Sequence, residues 1–305
     1  MDIYLAEPRG FCAGVRRAIS IVEEAVKQYG APVYVRHEIV HNRHVIEELK
    51  QKGVIFIEEL SEADLTRPLI FSAHGVGKNI EKEAQNLGLN VIDATCPLVG
   101  KVHNQIKKFD FEDMEILVIG KKNHPEIIGT VGQLENSKRV HIITTLDEAQ
   151  NLNFKPGQKV GFVTQTTLSS DDTKEIMEYL KSKFHDMKGL EKDDICYATN
   201  NRQKAIKELA KQTDTIIVLG SKNSSNSKQL KEVALKNGAA QAFLIDDYRE
   251  FDWNVLNGRS SVGISAGASA PEYLVEELVT QFKIRYNKIN IHHVVFIKEN
   301  VNFKL

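Results

Sequence analysis

The chain contains three cysteines, Cys12, Cys96 and Cys196, one in each third of its 305 residues. Each stands directly before a stretch with helical spacing of apolar side chains. These are Val15, Ala18, Ile19, Val22 and Val26 after the first, Val99, Val102, Ile106 and Phe109 after the second, and Ile206, Leu209 and Ala210 after the third. Pro97 suits a first helical turn, and Thr199 is a candidate helix cap. A thiol at a helix start feels the positive end of the dipole, which favours the thiolate that binds metal. One thiolate per third is therefore the donor set of a shared metal site. Zinc with a histidine as fourth ligand is one reading, although closed zinc sites favour short local cysteine pairs and the chain has none. Ligand softness favours an iron–sulfur cluster, in which three thiolates leave one iron without a protein sulfur. Such an iron is a Lewis acid and an electron donor in one place. Three unrelated buried thiols are the plain structural alternative, since cysteine is commonly a small core residue.

The elements that must position these thiols repeat. Each cysteine–helix unit is followed by an apolar strand-like run and a polar loop at nearly the same distance from its cysteine. Val33-Tyr34-Val35 leads to His41, Ile116-Leu117-Val118-Ile119 leads to His124 and Glu126, and Ile216-Ile217-Val218-Leu219 leads to Ser224, Ser225 and Asn226. A second strand and loop follow in each third: Leu69-Ile70-Phe71 before His74, Val160 to Val163 before Thr166 and Thr167, and Val262 to Ser265 before Ser269. Helical segments over 42–52, 171–183 and 227–237 intervene, so the alternation predicts mostly parallel sheets. Polar loops after parallel strands gather at the carboxyl edge, where open α/β sheets bind ligands. The expected fold is α/β, with three pseudo-threefold-related domains around a central iron–sulfur cluster. The domains are 13–95, 96–195, and 196–282 with the N-terminal 1–12, followed by a tail over 283–305.

Of the ten histidines, His41, His74 and His124 fall in the repeated loops, whereas His37, His44, His103, His141, His185, His292 and His293 fall on strands, helix faces or the tail. With Ser224, Ser225, Asn226 and Ser269, the loop histidines supply donors suited to phosphate oxygens without a P-loop. Gly75-Val76-Gly77-Lys78 lacks the spacing of a phosphate-cradling nucleotide loop. Glu126 is the one carboxylate within the loop centres. Burial would raise its pKa and suit it to deliver protons, with Thr166 or Thr167 to relay or orient them. Read singly, it is equally a helix N-terminal acid after Pro125. Arg16-Arg17 and the charges from Lys204 to Lys211 read as solvated helix faces, while Trp253 and the phenylalanines read as core.

Forty basic against forty-one acidic residues leave a formal charge of −1, so no global field draws nucleic acid or an acidic membrane. An anionic substrate must be gripped by a local pocket. The N-terminus lacks the order of an export signal, no apolar run is long enough to span a bilayer, and distant cysteines are unlike a secreted disulfide framework. A reducing cytoplasm is the expected location.

Nine stretches in this order resemble the 4-hydroxy-3-methylbut-2-enyl diphosphate reductases of the non-mevalonate isoprenoid pathway. They are Arg9-Gly10-Phe11-Cys12-Ala13-Gly14-Val15, His37-Glu38-Ile39-Val40-His41-Asn42, Ser72-Ala73-His74-Gly75, Asp93-Ala94-Thr95-Cys96-Pro97 and His124-Pro125-Glu126. Thr164-Gln165-Thr166-Thr167-Leu168-Ser169, Cys196-Tyr197-Ala198-Thr199, Ser221-Lys222-Asn223-Ser224-Ser225-Asn226-Ser227 and Ser265-Ala266-Gly267-Ala268-Ser269-Ala270-Pro271 complete the set. The resemblance implies an oxygen-sensitive [4Fe–4S] cluster held by Cys12, Cys96 and Cys196. It implies a diphosphate gripped by His41, His74, His124, Ser224, Ser225, Asn226 and Ser269, with Thr166 also at the substrate. It further implies catalytic roles for Glu126, Thr166 and His124, and a ferredoxin- or flavodoxin-type electron donor. Two electrons would remove the allylic hydroxyl as water to give isopentenyl and dimethylallyl diphosphate. A non-enzymatic iron–sulfur sensor and a zinc hydrolase with Glu126 as base are the competing readings. A sensor has no need for six polar loops facing its cluster, and a zinc hydrolase would be colourless.

Overall fold

The computed structural model describes residues 1–155, 157–189 and 195–305. The chain divides into two compact units. One comprises Met1–Arg16, His41–Glu48 and Tyr197–Asn302, and the other comprises Arg17–Val40, Leu49–Cys196 and Phe303–Leu305.

The first unit is built on a five-stranded sheet. Its strands are β1 (Asp2–Glu7), β9 (Thr215–Leu219), β10 (Gln241–Ile245), β11 (Ser261–Ala266) and β12 (Asn290–Val295), in the order β10-β9-β11-β1-β12. Strand β9 is buried along both faces and apolar from Ile216 to Leu219, as a parallel strand covered on two sides must be. Ile216 and Val218 pack with Ala205, Ile206 and Leu209 of α8 (Tyr197–Ala210) and Leu230 and Val233 of α9 (Ser225–Lys236). Ile217 and Leu219 face the other way, toward Leu274, Leu278 and Phe282 of α10 (Glu272–Arg285). Each such buried aliphatic side chain is worth roughly 1.5–3 kcal/mol of transfer free energy.

The second unit carries two sheets. One is β2 (Val33–Arg36), β3 (Val54–Ile57), β4 (Pro68–Phe71) and β5 (Asn90–Asp93) in the order β3-β2-β4-β5. The other is β6 (Glu115–Ile119), β7 (Val140–Ile143) and β8 (Val160–Thr164) in the order β7-β6-β8. Ile116 and Val118 pack with Val102, Ile106 and Phe109 of α4 (Pro97–Phe111) and Ile127 of α5 (Pro125–Val131). Leu117 and Ile119 pack on Ala149 of α6 (Leu146–Gln150) and on Ile176 and Leu180 of α7 (Ser170–Lys183). The remaining helices are α1 (Ala13–Tyr29), α2 (Arg43–Gln51) and α3 (Lys78–Asn86). All nine recorded strand pairings are parallel.

The three sheets share one topology. In each, the first strand of the repeat lies centrally, the next flanks it on one side and the third on the other: β3-β2-β4, β7-β6-β8 and β10-β9-β11. A further segment, leading to a cysteine, joins beyond that third strand. It is β5 before Cys96 and β1 before Cys12, while Lys188, before Cys196, makes a parallel bridge to Gly161 of β8.

Three details depart from the sequence expectation. Helix α8 starts at Tyr197, directly after Cys196, so Thr199 lies inside it and fully buried rather than capping it. His37 lies just beyond β2, at a φ of 58°, not on the strand. Trp253 joins Phe251 and Phe282 in an aromatic cluster, but Phe111, at the end of α4, is 89 % exposed and no part of a core.

Candidate functional site

The cysteines occupy equivalent positions. Their backbone N–H groups donate to the carbonyl two residues past the end of the third strand of each repeat: Cys12 to Ala268 after β11 (3.1 Å), Cys96 to Ala73 after β4 (3.0 Å) and Cys196 to Thr166 after β8 (3.1 Å). Each then opens a helix, respectively α1, α4 and α8. Cys96 is the residue preceding the first turn of α4, with Pro97 inside it, and the Cys12 sulfur accepts a hydrogen bond from the Val15 N–H at 3.4 Å. All three are half-buried, and no disulfide joins them. Among the described residues, no three His, Cys, Asp or Glu side chains form a ready-made site for one metal ion. Soft thiols placed at the positive ends of helices fit the donor set of an iron–sulfur cluster.

Within the second unit, the loops after β4, β6 and β8 bring together His74, His124, Glu126 and Thr166. Glu126 is 2 % exposed. Its Oε1 accepts from the Thr166 N–H at 2.6 Å and its Oε2 contacts the Thr166 hydroxyl at 2.9 Å. The first bond is fixed in direction, because an amide can only donate. The second can run either way, so a proton on Oε2 can pass through Thr166 Oγ. His124 caps α5, its Nδ1 accepting from the Glu126 N–H at 3.2 Å. The His124 and His74 rings meet edge to face at 5.9 Å, and His74 Nδ1 lies 3.4 Å from Ser72 Oγ. Thr166 thus touches the proposed acid through two atoms and holds the Cys196 amide through a third.

Within the first unit, the loops after β9 and β11 carry the serines and Asn226. Ser224 caps α9, accepting from the Ser227 N–H at 3.3 Å. Asn226 Oδ1 accepts from the Ala268 N–H at 2.8 Å, which leaves its buried Nδ2 without a protein partner. Ser269 Oγ donates to the His41 carbonyl at 2.9 Å. These loops approach so closely that a Cβ on Gly220 or Gly267 would stand 2.2 or 2.0 Å from Ser227 Oγ. A buried amide N–H₂ without a partner is a costly group to leave so, and a phosphate oxygen is a natural acceptor for it.

Sequence spacing aligned Thr166 with His74 and Ser269. Counting from the strand ends, their counterpart is Thr167, and Thr166 matches Ala73 and Ala268. By the same count His41 matches His124 and Ser224, each five residues past its strand, but the capping role that His124 and Ser224 play falls in the first repeat to Asn42, its Oδ1 accepting from the Val45 N–H at 3.2 Å. Gln165 went unread: fully buried, it accepts from the Lys121 N–H (3.1 Å) and donates to Thr167 Oγ (2.8 Å), bracing two loops of the site. Its position, directly after a strand and within a polar loop, was the available signal. Arg17 also departs from the solvated reading, because it is partly buried and donates to the Thr95 carbonyl at 3.1 Å.

Residues 3–283 match the family model described as LytB protein. A 4-hydroxy-3-methylbut-2-enyl diphosphate reductase of Gluconobacter oxydans is 50% identical, over 100% of this chain and 91% of its own length. The protein of that name from Dechloromonas aromatica is 48% identical, over 100% of this chain and 98% of its own. Among solved structures, the E-1-hydroxy-2-methyl-but-2-enyl-4-diphosphate reductase of Plasmodium falciparum is 38% identical, with a TM-score of 0.95 over 99% of this chain and 95% of that one. With the family model spanning most of the sequence and the relatives spanning all of it, the chain belongs to the LytB protein family.

Proposed function

We propose that this protein is an oxidoreductase that reductively dehydroxylates (E)-4-hydroxy-3-methylbut-2-enyl diphosphate to isopentenyl and dimethylallyl diphosphate. Half of all positions shared with a curated reductase, along the entire chain, carries the reading. Cys12, Cys96 and Cys196 hold a [4Fe–4S] cluster, one per chain, with one iron open. When bound, that cluster supplies the electrons and the Lewis acidity. The equivalence of the three cysteine amides supports this assignment, and supports three lobes, 13–95, 96–195 and 196–282 with 1–12, each built on one sheet.

The protein's own work is binding and proton supply. His41, His74, His124, Ser224, Ser225, Asn226 and Ser269 take the diphosphate oxygens. The unpaired Asn226 Nδ2 supports that role. Glu126 stores the proton, Thr166 Oγ passes it on, and His124 orients the carboxylate's helix turn through the Glu126 amide. With Oε1 held by an amide that can only donate, a proton on Oε2 has a path to the hydroxyl.

Electrons come from a ferredoxin- or flavodoxin-type donor, and a reducing cytoplasm suits thiols that are in no disulfide. Among the described residues no helix is long and apolar enough to cross a membrane. The test is anaerobic: reconstituted protein is brown, contains iron and sulfide, and oxidises reduced viologen only when the allylic diphosphate is added. Turnover by iron-free protein overturns the assignment, and a cluster that reacts to oxidants without turning over the diphosphate returns the sensor reading.

A further inference from the structure

Two buried or half-buried arginines hold the backbone just before two of the cysteines, and both are themselves held by the end of the chain. Arg202, on α8, is 1 % exposed and the largest fully buried side chain among the described residues. Its Nε and Nη2 donate to the Gly10 carbonyl at 3.0 and 2.8 Å, and its Nη1 donates to the Ala198 carbonyl at 3.0 Å. Its charge is met by Glu299, at 3.1 Å from Nη1, and Asn201 Nδ2 donates to the same carboxylate at 3.0 Å. On the inner side the same turn is pinned by Gly10 N–H to the Ala266 carbonyl and Cys12 N–H to the Ala268 carbonyl. Gly10 adopts φ +65°, and a Cβ there would stand 3.1 Å from the Ala270 carbonyl.

In the other unit Arg17, on the helix that follows Cys12, donates from Nη1 to the Thr95 carbonyl at 3.1 Å, one residue before Cys96. Its Nε donates to the Lys304 carbonyl at 2.8 Å. Glu299 and Lys304 both lie beyond residues 3–283, the part that the family model matches.

We infer that the C-terminal segment is a latch: Glu299 through Arg202 and Lys304 through Arg17 fix the turns that present Cys12 and Cys96. The physical reason is asymmetric. A buried guanidinium stripped of its carboxylate must seek water, and in doing so it releases the Gly10 carbonyl. Loss of a charged hydrogen bond loosens a local turn about tenfold or more without unfolding the sheet beneath it. Arg17 and Arg202 are positioning residues, since neither is placed against substrate or reacting atoms.

The inference rests on the reading of the cysteines as ligands, and its test separates the two. Anaerobically purified protein, with and without a chelator, is exposed to iodoacetamide, and peptide mapping gives the labelling rate of each cysteine. Glu299→Ala accelerates Cys12 about tenfold or more over Cys96 and Cys196, with Glu299→Gln between it and wild type. Arg17→Met accelerates Cys96 alone. A chain ending at Ile297 accelerates both and leaves Cys196 as the internal reference. Uniform acceleration of all three thiols, as global loosening gives, overturns the inference, as does no acceleration. Absence of iron from the wild-type protein overturns the cluster reading instead, while the labelling pattern of that iron-free chain still decides the latch.

Discussion

Replacing Glu126 by Gln tests the proton supply with little disturbance of the fold. Glu126 is 2 % exposed, so any change of volume would be felt, and Gln preserves the shape. Its carbonyl oxygen keeps the 2.6 Å bond from the Thr166 N–H, and its NH₂ can donate to Thr166 Oγ, which then serves as acceptor. The loss of stability is expected within about 1–2 kcal/mol. This matters because the Thr166 carbonyl also holds the Cys196 amide, and a truncation to Ala would disturb the proposed ligand together with the proposed acid. What Gln removes is the transferable proton. Loss of a positioned general acid costs about 100- to 10,000-fold in turnover, or roughly 2.7–5.5 kcal/mol on the barrier. Thr166→Val removes the relay hydroxyl but keeps the amide. If acid and hydroxyl act in series, the double variant is no slower than Glu126→Gln alone, because effects of residues that act as a unit do not add. The assay is viologen oxidation under argon, with iron content and the visible spectrum recorded for each variant. Full turnover in Glu126→Gln with its cluster intact refutes the proton role, and a double variant slowed by the product of the two single effects refutes the relay.

Serine in place of Cys12, Cys96 or Cys196 lowers bound iron and abolishes turnover while the far-ultraviolet dichroism stays native. Gly267→Ala drives a Cβ onto Ser227 Oγ and shifts the Asn226–Ala268 bond, so it raises KM for the diphosphate at a stability cost of about 1–3 kcal/mol; an unchanged KM would remove that loop from the substrate site. Burial lowers the pKa of His103 from 6.5 to about 4 and leaves its Nε2 without a protein partner. The unfolded chain therefore binds this proton first. The associated stability is present above pH 6.5 and is lost as the pH falls toward 4, by up to about 3 kcal/mol. Urea midpoints of wild type and His103→Gln should differ in slope across that window, and parallel curves would show that His103 is not the responsible group.

The amino-acid sequence by itself determined the elements and the identity of their chemical ends. Continuous apolar runs such as Ile216 to Leu219 must be parallel strands covered on both faces, and the polar loops that follow them sit at carboxyl edges whatever the rest of the chain does. The repetition of strand, loop, helix and cysteine is therefore legible in the sequence, because it is a local pattern written once per third of the chain. Tertiary structure decided everything that depends on which segment lies beside which. Only strand pairing shows that β1 completes the sheet of β9 to β11, so that Cys12, at the start of the chain, is hydrogen-bonded to a loop near its end. Only packing shows that Thr166, rather than Thr167, serves both Glu126 and Cys196, since neighbours in a polar loop point different ways and spacing cannot tell them apart. Arg17 reads in the sequence as an ordinary solvated charge, and nothing there singles out Arg202 or Glu299, because no local pattern marks a buried ion. Burial of a charge is decided by partners far away in sequence, and those partners exist only once the chain has folded.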